Sequence, residues 1–449
     1  MKKIEFLGAS EGEVTGSCYL ITASDTNEVL VDFGMFQGAR DIEDRNFEPL
    51  LFSPSTLQGI FLTHAHLDHC GRLPLLVFGG FRGKIYMTAP TRAFVEIILN
   101  DSARIAEKDE AQDPLYTLDE VWKVLKMIEV VEYDRPISVG SFTATFYDAG
   151  HILGSSSIKL TETQTKESVV FSGDLGNTPQ SIVKLTEYID SADYVVMEST
   201  YGDSSHPNED ASQILQEEIN IVEQTGGVLL IPAFAIERTQ EVLHLIHHLK
   251  ADNKIKAETP VFLDSPMGID ATTVYLDFQN FYNDEIKNHT DIPFNFDGLI
   301  VTNEAKQSRK IISEPTPKVI LAGSGMMSGG RILHHALNYL SLPKTRVLFV
   351  GFQAEKTLGR KILEGAKNVT IDKATIPIRA HIREIKNLSS HADQPRLLTW
   401  LDHIKGVKKV FLTHGELAQQ EALAEKIKQG FKIAHIYLPK HGEAFELAE

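Results

Sequence analysis

The chain is poor in cysteine: Cys18 and Cys70 are its only two in 449 residues. So few thiols build no disulfide framework, and a reducing compartment, the cytoplasm, is the expected home. No apolar run approaches the roughly 18–20 residues that span a bilayer, so no membrane is expected as a partner. Basic charge is also short, with 44 Lys and Arg against 61 Asp and Glu and a formal charge of −17. That excludes a passive nucleic-acid coat, which needs a basic face. It leaves room for an enzyme that neutralises phosphate locally with metal ions and a few clustered cations. Low-complexity segments and flexible linkers are missing as well. In MKKIEFLGAS, Glu5 and Gly8 interrupt any apolar core, so the stretch reads as a first strand rather than a signal peptide.

What is present is a globular composition, 42% hydrophobic and 23% charged, in a chain too long for one ordinary core. The first 200 residues read as short strands with turn signals, among them EVLVDFG, GIFLTH, FTATFYDAG, VVFSGD and DYVVMES. A helical stretch interrupts them at about 91–129, through FVEIILNDSARIAEK and DEVWKVLKMIEVV. After SHPNEDAS near 206, a strand–loop–helix unit repeats: GGVLLIPAFAIERTQEVLHLIHHL, PVFLDSPMGIDATTVYLDF, PKVILAGSGMMSGGRILHHALNYL and TRVLFVGFQAEKTLGRKIL. Apolar runs alternating with helices point to a parallel, doubly wound sheet. From about 375 the chain returns to short strands. The expected architecture is a β-rich domain split in sequence into 1–207 and 375–449, with an α/β domain inserted at 208–374.

FLTHAHLDHCG, residues 61–71, places His64, His66, Asp68 and His69 within six positions, and a second FLTH ends at His414. In extended chain, residues i and i+2 point the same way, so His64 and His66 can face one ion. Asp68 and His69 follow at a turn, and their different direction suits a second ion. Imidazole and carboxylate are the ligands zinc prefers outside thiolate sites. Two ions roughly 3.5–4 Å apart can share a hydroxide and clamp phosphoryl oxygens. Six residues cannot complete two coordination shells. His151 in DAGHILG, Asp174 in FSGDLG and His414 are the candidates for the remainder. Asp32, in VLVDFG, is either a direct ligand or a partner that holds a histidine tautomer.

GSGMMSGGRILHH follows a strand and opens a helix, where backbone N–H groups can approach a phosphate. Ser324, Ser328 and Arg331 are its candidate contacts to a nucleic-acid backbone. GFQAEKTLGRKI repeats the idea with Lys356, Thr357 and Arg360. Arg238, in PAFAIER, is a substrate contact or an internal ion-pair partner. Phe234 and Phe352 are core residues or stacking platforms, with the core favoured.

HxHxDH with a later His, Asp and His resembles the metallo-β-lactamase-fold hydrolases. MESTYG at 197–202, PAFAIER at 232–238, GSGMMSGGR at 323–331, SSHAD at 389–393 and THGE at 413–416 narrow the resemblance to the β-CASP nucleases. That branch includes ribonuclease J and the nuclease subunit of the eukaryotic polyadenylation machinery. The resemblance implies an αββα sandwich split in sequence around a β-CASP insert. It implies two Zn2+ ions, one on His64, His66 and His151 and one on Asp68, His69 and His414, with Asp174 bridging. Asp68, Glu198 and His391 form the implied catalytic set, with His391 as proton donor and Glu198 orienting it. The implied reaction is hydrolysis of single-stranded RNA by a two-metal hydroxide mechanism, endonucleolytic, leaving a 5′-phosphate and a 3′-hydroxyl. A 5′–3′ exoribonuclease and a hydrolase of a small ester or phosphodiester are the alternatives. Lys356 stands where relatives often carry glycine, which leaves that loop's path open. A homodimer is an expectation from the resemblance alone.

Overall fold

A computed structural model describes residues 1–108, 113–177, 180–287 and 293–447. The chain divides into two compact units. One holds Met1–Thr178, Val183–Ser205 and His391–Glu449; the other holds Pro179–Ile182 and His206–Ser390.

The first unit is a sandwich of two seven-stranded sheets. One sheet runs Glu443–Glu446, Lys3–Phe6, Tyr19–Thr22, Glu28–Val31, Leu57–Phe61, Lys84–Thr88, Ile128–Val131. The other runs His435–Tyr437, Lys409–Thr413, Tyr194–Glu198, Ser168–Phe171, Ser156–Glu162, Phe142–Asp148, Ile137–Val139. Phe6, Ile21, Val29 and Phe61 from the first sheet meet Phe142, Phe146, Phe171, Val196 and Phe411 from the second in one core. The period of two is plain in Phe142–Asp148, whose burial alternates along its length. Tyr194–Glu198 and Lys409–Thr413 are apolar on both faces for a reason. Val196 and Phe411 face the sandwich, while Val195, Met197, Val410 and Leu412 pack under Trp400, Leu401 and Leu423 of two covering helices, Gln394–His403 and Leu417–Gly430. Helix Ala89–Ala106, capped by the Thr88 side chain, covers Lys84–Thr88 and Ile128–Val131.

Each sheet is parallel where the functional residues emerge. Val31 lies opposite Phe61, and Glu198 opposite Thr413. Glu198 therefore closes its strand, and Asp32, His64, Asp174 and His414 follow the C-terminal ends of neighbouring strands. This is why the same strand ending serves twice, once in each sheet.

The expected helical stretch at 91–129 breaks up. It yields Ala89–Ala106 and Leu118–Leu125, and its last residues, Ile128–Val131, form a strand on Lys84–Thr88. The β-branched IEVV run favours the pleated edge over continued helix. Residues 109–112 of that stretch lie outside the described residues.

The second unit is built on a six-stranded sheet, parallel throughout. Its order is Leu299–Val301, Val261–Asp264, Lys318–Ala322, Val228–Pro232, Thr345–Phe349, His381–Glu384. The last strand pairs with Thr345–Phe349, so this unit runs on to Ser390, past the boundary at 374 expected from sequence. Asp264, at the end of its strand, ties the loops of this sheet together. It is buried and accepts from Thr302 Oγ1 at 2.6 Å, Ser308 Oγ at 2.6 Å, Arg331 Nη1 at 2.7 Å and His335 Nε2 at 2.7 Å. Burial pulls the carboxyl's pKa up. The hydrogen bonds from His335, Ser308, Thr302 and Arg331 outweigh it and hold the pKa below the ordinary value. Among the described residues, no helix is long and apolar enough to cross a membrane.

The depressed Asp264 carboxyl contributes stability that is present above the ordinary carboxyl pKa of about 4 and is lost as the pH falls below it. Asp264→Asn should cost about 3 kcal/mol at neutral pH, as for other broken buried pairs, and make the acid limb of the stability curve shallower. Denaturant unfolding at pH 7 and at pH 4 checks both.

Candidate metal centre

The side chains that emerge from the strand ends of the first unit collect into two adjoining groups. His64, His66, His151 and Asp174 place one ligand atom each within 4.8 Å of one another, and so do Asp68, His69 and His414. In the first group His66 Nδ1 lies 3.1 Å from His64 Nε2 and 3.2 Å from His151 Nε2. Asp174 Oδ2 lies 3.4 Å from His64 Nε2 and 3.5 Å from His151 Nε2. In the second group His414 Nε2 lies 3.4 Å from Asp68 Oδ2, and His69 Nε2 lies 3.3 Å from the other Asp174 oxygen, Oδ1. Asp174 thus presents one oxygen to each group.

These spacings fit a cation. Ligands about 2.0–2.1 Å from a tetrahedral zinc lie about 3.3 Å from each other. Asp174 Oδ1 is buried and accepts no hydrogen bond among the described residues. An orphaned buried carboxylate oxygen is costly unless a positive charge meets it. The donors are also in the right state. Burial, then the neighbouring His69, lowers His64 to about 4; burial, then His64, lowers His66 to about 3. Burial followed by His391 holds His151 well below its ordinary value. All three rings are neutral and offer lone pairs. The second group is reversed. Burial would lower His69 and His414, but Asp174, with Asp32 for His69 and Asp68 for His414, raises both. A field that holds protons there is a field that attracts metal.

Asp32 meets His69 Nδ1 at 2.8 Å, and accepts from the Thr63 N–H and hydroxyl at 2.8 Å each. It thereby turns His69 Nε2 toward Asp174. Glu198 closes its strand and is buried. Its Oε1 accepts from Leu175 N–H at 2.7 Å and lies 3.3 Å from His391 Nδ1. His391 sits beside Gly176 through an isolated antiparallel bridge, next to the cap of helix Gln394–His403. Burial would lower its pKa; Glu198, then Asp174 at 3.9 Å, override burial and raise it to about 9.

Sequence reasoning missed the hydroxyls. Thr63 Oγ1 reaches Asp32 and lies 3.1 Å from His64 Nδ1, Tyr19 OH donates to Thr413 Oγ1 at 3.1 Å, and Thr200 Oγ1 lies 3.1 Å from His414 Nδ1. The signal was in plain view, since both FLTH endings carry a threonine before the histidine and MESTYG carries another.

The candidate substrate contacts all lie in the second unit, on two loops joined by Gln353. Its Nε2 donates to Gly325 O and Gly351 O, each at 3.0 Å. Ser328 and Lys356 are exposed. Lys356 adopts φ 66°, so the loop keeps the backbone region that glycine favours. Ser324 Oγ is bound back to Gly329, and Thr357 caps helix Leu358–Leu363. Arg360 pairs with Glu364 at 2.6 Å. Arg331 is turned inward, donating to Asp264, Thr302 O and Asn303 O. Arg238 is buried against Glu237, which is the internal of its two alternatives. Phe234 is half-buried, and its ring lies beside Gly325 and Gly351.

Three family models match the chain. They are the metallo-beta-lactamase superfamily over residues 12–199, the Beta-Casp domain over 239–362, and the Zn-dependent metallo-hydrolase RNA specificity domain over 375–439. The last begins inside the second unit. Ribonuclease TTHA0252 of Thermus thermophilus is 36% identical over 437 residues, covering 96% of this chain and 97% of that protein. An RNase J-like protein of Methanocaldococcus jannaschii is 31% identical, covering 98% of this chain and 99% of that one. RNase aCSPSF2 of Saccharolobus solfataricus is 31% identical over 97% of this chain and 84% of its own. A solved structure from Enterococcus faecalis V583, of a protein of unknown function, shares the fold. Its TM-score is 0.56 at 12% identity, covering 99% of this chain and 100% of that one.

Glu198→Gln removes the charge that keeps His391 protonated. In metal-free protein, imidazole NMR should show the His391 pKa falling from about 9 toward or below the ordinary 6.5.

Proposed function

The chain belongs to the β-CASP ribonucleases of the metallo-β-lactamase superfamily, and from that footing we propose that it is a zinc-dependent endoribonuclease acting on single-stranded RNA. The observation that carries the reading is Asp174, one oxygen in each of two ligand groups, beside the His391–Glu198 pair. His64, His66 and His151 would hold one zinc, Asp68, His69 and His414 the other, and Asp174 both. When bound, zinc supplies Lewis acidity, neutralising charge on phosphoryl oxygens and making water a better nucleophile near neutral pH.

The chain's own side chains supply the rest. Glu198 Oε1 takes the His391 Nδ1 proton as a hydrogen bond, which leaves the Nε2 proton as the one to transfer. A protonated His391 can deliver it to the departing 3′-oxygen, so that the products carry a 5′-phosphate and a 3′-hydroxyl. Asp32 and Glu198 hold their rings without touching the scissile group. The chemistry uses no 2′-hydroxyl. A preference for RNA is supported by the RNA specificity domain match and the ribonuclease names of the relatives. Cys18 and Cys70, both buried and free, fit a reducing cytoplasm.

The test uses zinc-loaded protein, a single-stranded RNA labelled at its 3′ end and a DNA of the same sequence, with Asp174→Ala as blank. Internal fragments from RNA alone are expected. A ladder shortening from the 5′ end would replace the endonuclease by an exonuclease, and no cleavage with zinc bound would return the small-substrate hydrolase. Asp174→Ala should lose zinc and activity together. His391→Ala should retain zinc and lose about 10²–10⁴ in rate, the range of a general acid; undiminished turnover would remove His391 from that role.

A further inference from the structure

Beyond the end of the paired strands Tyr194–Glu198 and Lys409–Thr413, the two chains stay in contact for two more residues. Ser199 N–H donates to His414 O at 3.2 Å, and Ser199 Oγ to Thr413 O at 2.7 Å. His414 itself adopts φ 50°, a region histidine seldom enters, and its own N–H is held by Ala9 O at 2.8 Å. Thr200, only 5% exposed, adds the decisive contact. Its hydroxyl donates to His414 O at 3.2 Å and lies 3.1 Å from His414 Nδ1.

A threonine hydroxyl has one proton to give. Both contacts are hydrogen bonds at once only when that proton goes to the carbonyl and Nδ1–H donates to Oγ1. The lone pair is then on Nε2, the atom 3.4 Å from Asp68 Oδ2 in the second ligand group. Thr200 also donates its N–H to Glu198 Oε2 at 3.2 Å, so the same residue steadies the carboxylate that holds His391.

We propose that Thr200 is a positioning residue whose hydroxyl fixes His414 as the Nδ1–H tautomer and aims Nε2 at the second metal position. It does for His414 what Asp32 does for His69, with a neutral group in place of an anion. The inference rests on the reading of His414 as a zinc ligand.

Zinc affinity, read by chelator competition, separates the two claims. His414→Ala should lose the second zinc and keep the first. Thr200→Val, nearly the same shape without the hydroxyl, should weaken the second zinc about 10–100-fold and leave the first unchanged, the usual cost of removing a ligand's orienting partner. Thr200→Ser should restore wild-type affinity. In zinc-loaded protein, the exchangeable His414 Nδ1 proton should be visible in ¹⁵N-edited NMR of the wild type and the serine variant, and shifted or exchange-broadened in the valine variant. If His414→Ala binds zinc like the wild type, the ligand reading falls. If His414→Ala loses the second zinc while Thr200→Val keeps full affinity and an unchanged proton, the positioning role alone is overturned. Thr200→Ala carries the same comparison should the valine variant not fold.

Discussion

A buried carboxylate oxygen that accepts no hydrogen bond needs positive charge beside it, and among the described residues Asp174 Oδ1 is in that position, with His69 Nε2 at 3.3 Å. The first unit is arranged around relieving it. Six histidines and a second carboxylate reach the same space, and the neutral rings line one side while the proton-holding rings line the other. No arrangement of uncharged packing satisfies that set. Positive charge does, and the spacing of the donors is that of ligands around a metal.

The sandwich makes such crowding affordable. Its core lies between the two sheets and is large and aromatic, and the side chains of the candidate metal centre stand at or beyond the ends of strands packed on it. Four of the rings have a partner on the far side: Asp32 behind His69, Thr63 behind His64, Thr200 behind His414, Glu198 behind His391. Orientation comes from hydrogen bonds to residues at a strand end or one or two positions beyond it. Small shifts of those ends would therefore be felt at the centre.

The second unit repeats the strategy with a different hub. Asp264 collects donors from the loops and helices that follow its neighbouring strands, and Gln353 joins the two glycine-rich loops. A chain with a formal charge of −17 has few cations to spare for a polyanion. Turning Arg331 inward leaves exposed Lys356 and the loop backbone as the groups closest in character to phosphate ligands.

HxHxDH, the later His151, Asp174 and His414, and the alternation of apolar runs with helices were legible in the sequence, because ligand spacing and hydrophobic period are local properties. Sequence also offered Asp32 as a partner for a histidine, yet could not choose between that and direct ligation. Which atom Asp32 meets depends on strands brought together by the fold, and they place it against His69 Nδ1. The same holds for Arg331, Arg238 and the end of the inserted unit. A guanidinium reads alike in sequence whether it faces a phosphate or Asp264, and the strand His381–Glu384 reads alike whichever sheet it joins. Thr63, Thr200 and Thr413 stand in visible motifs, but what their hydroxyls do depends on partners that only the fold supplies. Composition and spacing determined which chemical groups this protein would concentrate. Only the tertiary structure decided which oxygen faces which nitrogen, because hydrogen bonds reach about 3 Å and the partners lie up to hundreds of residues apart.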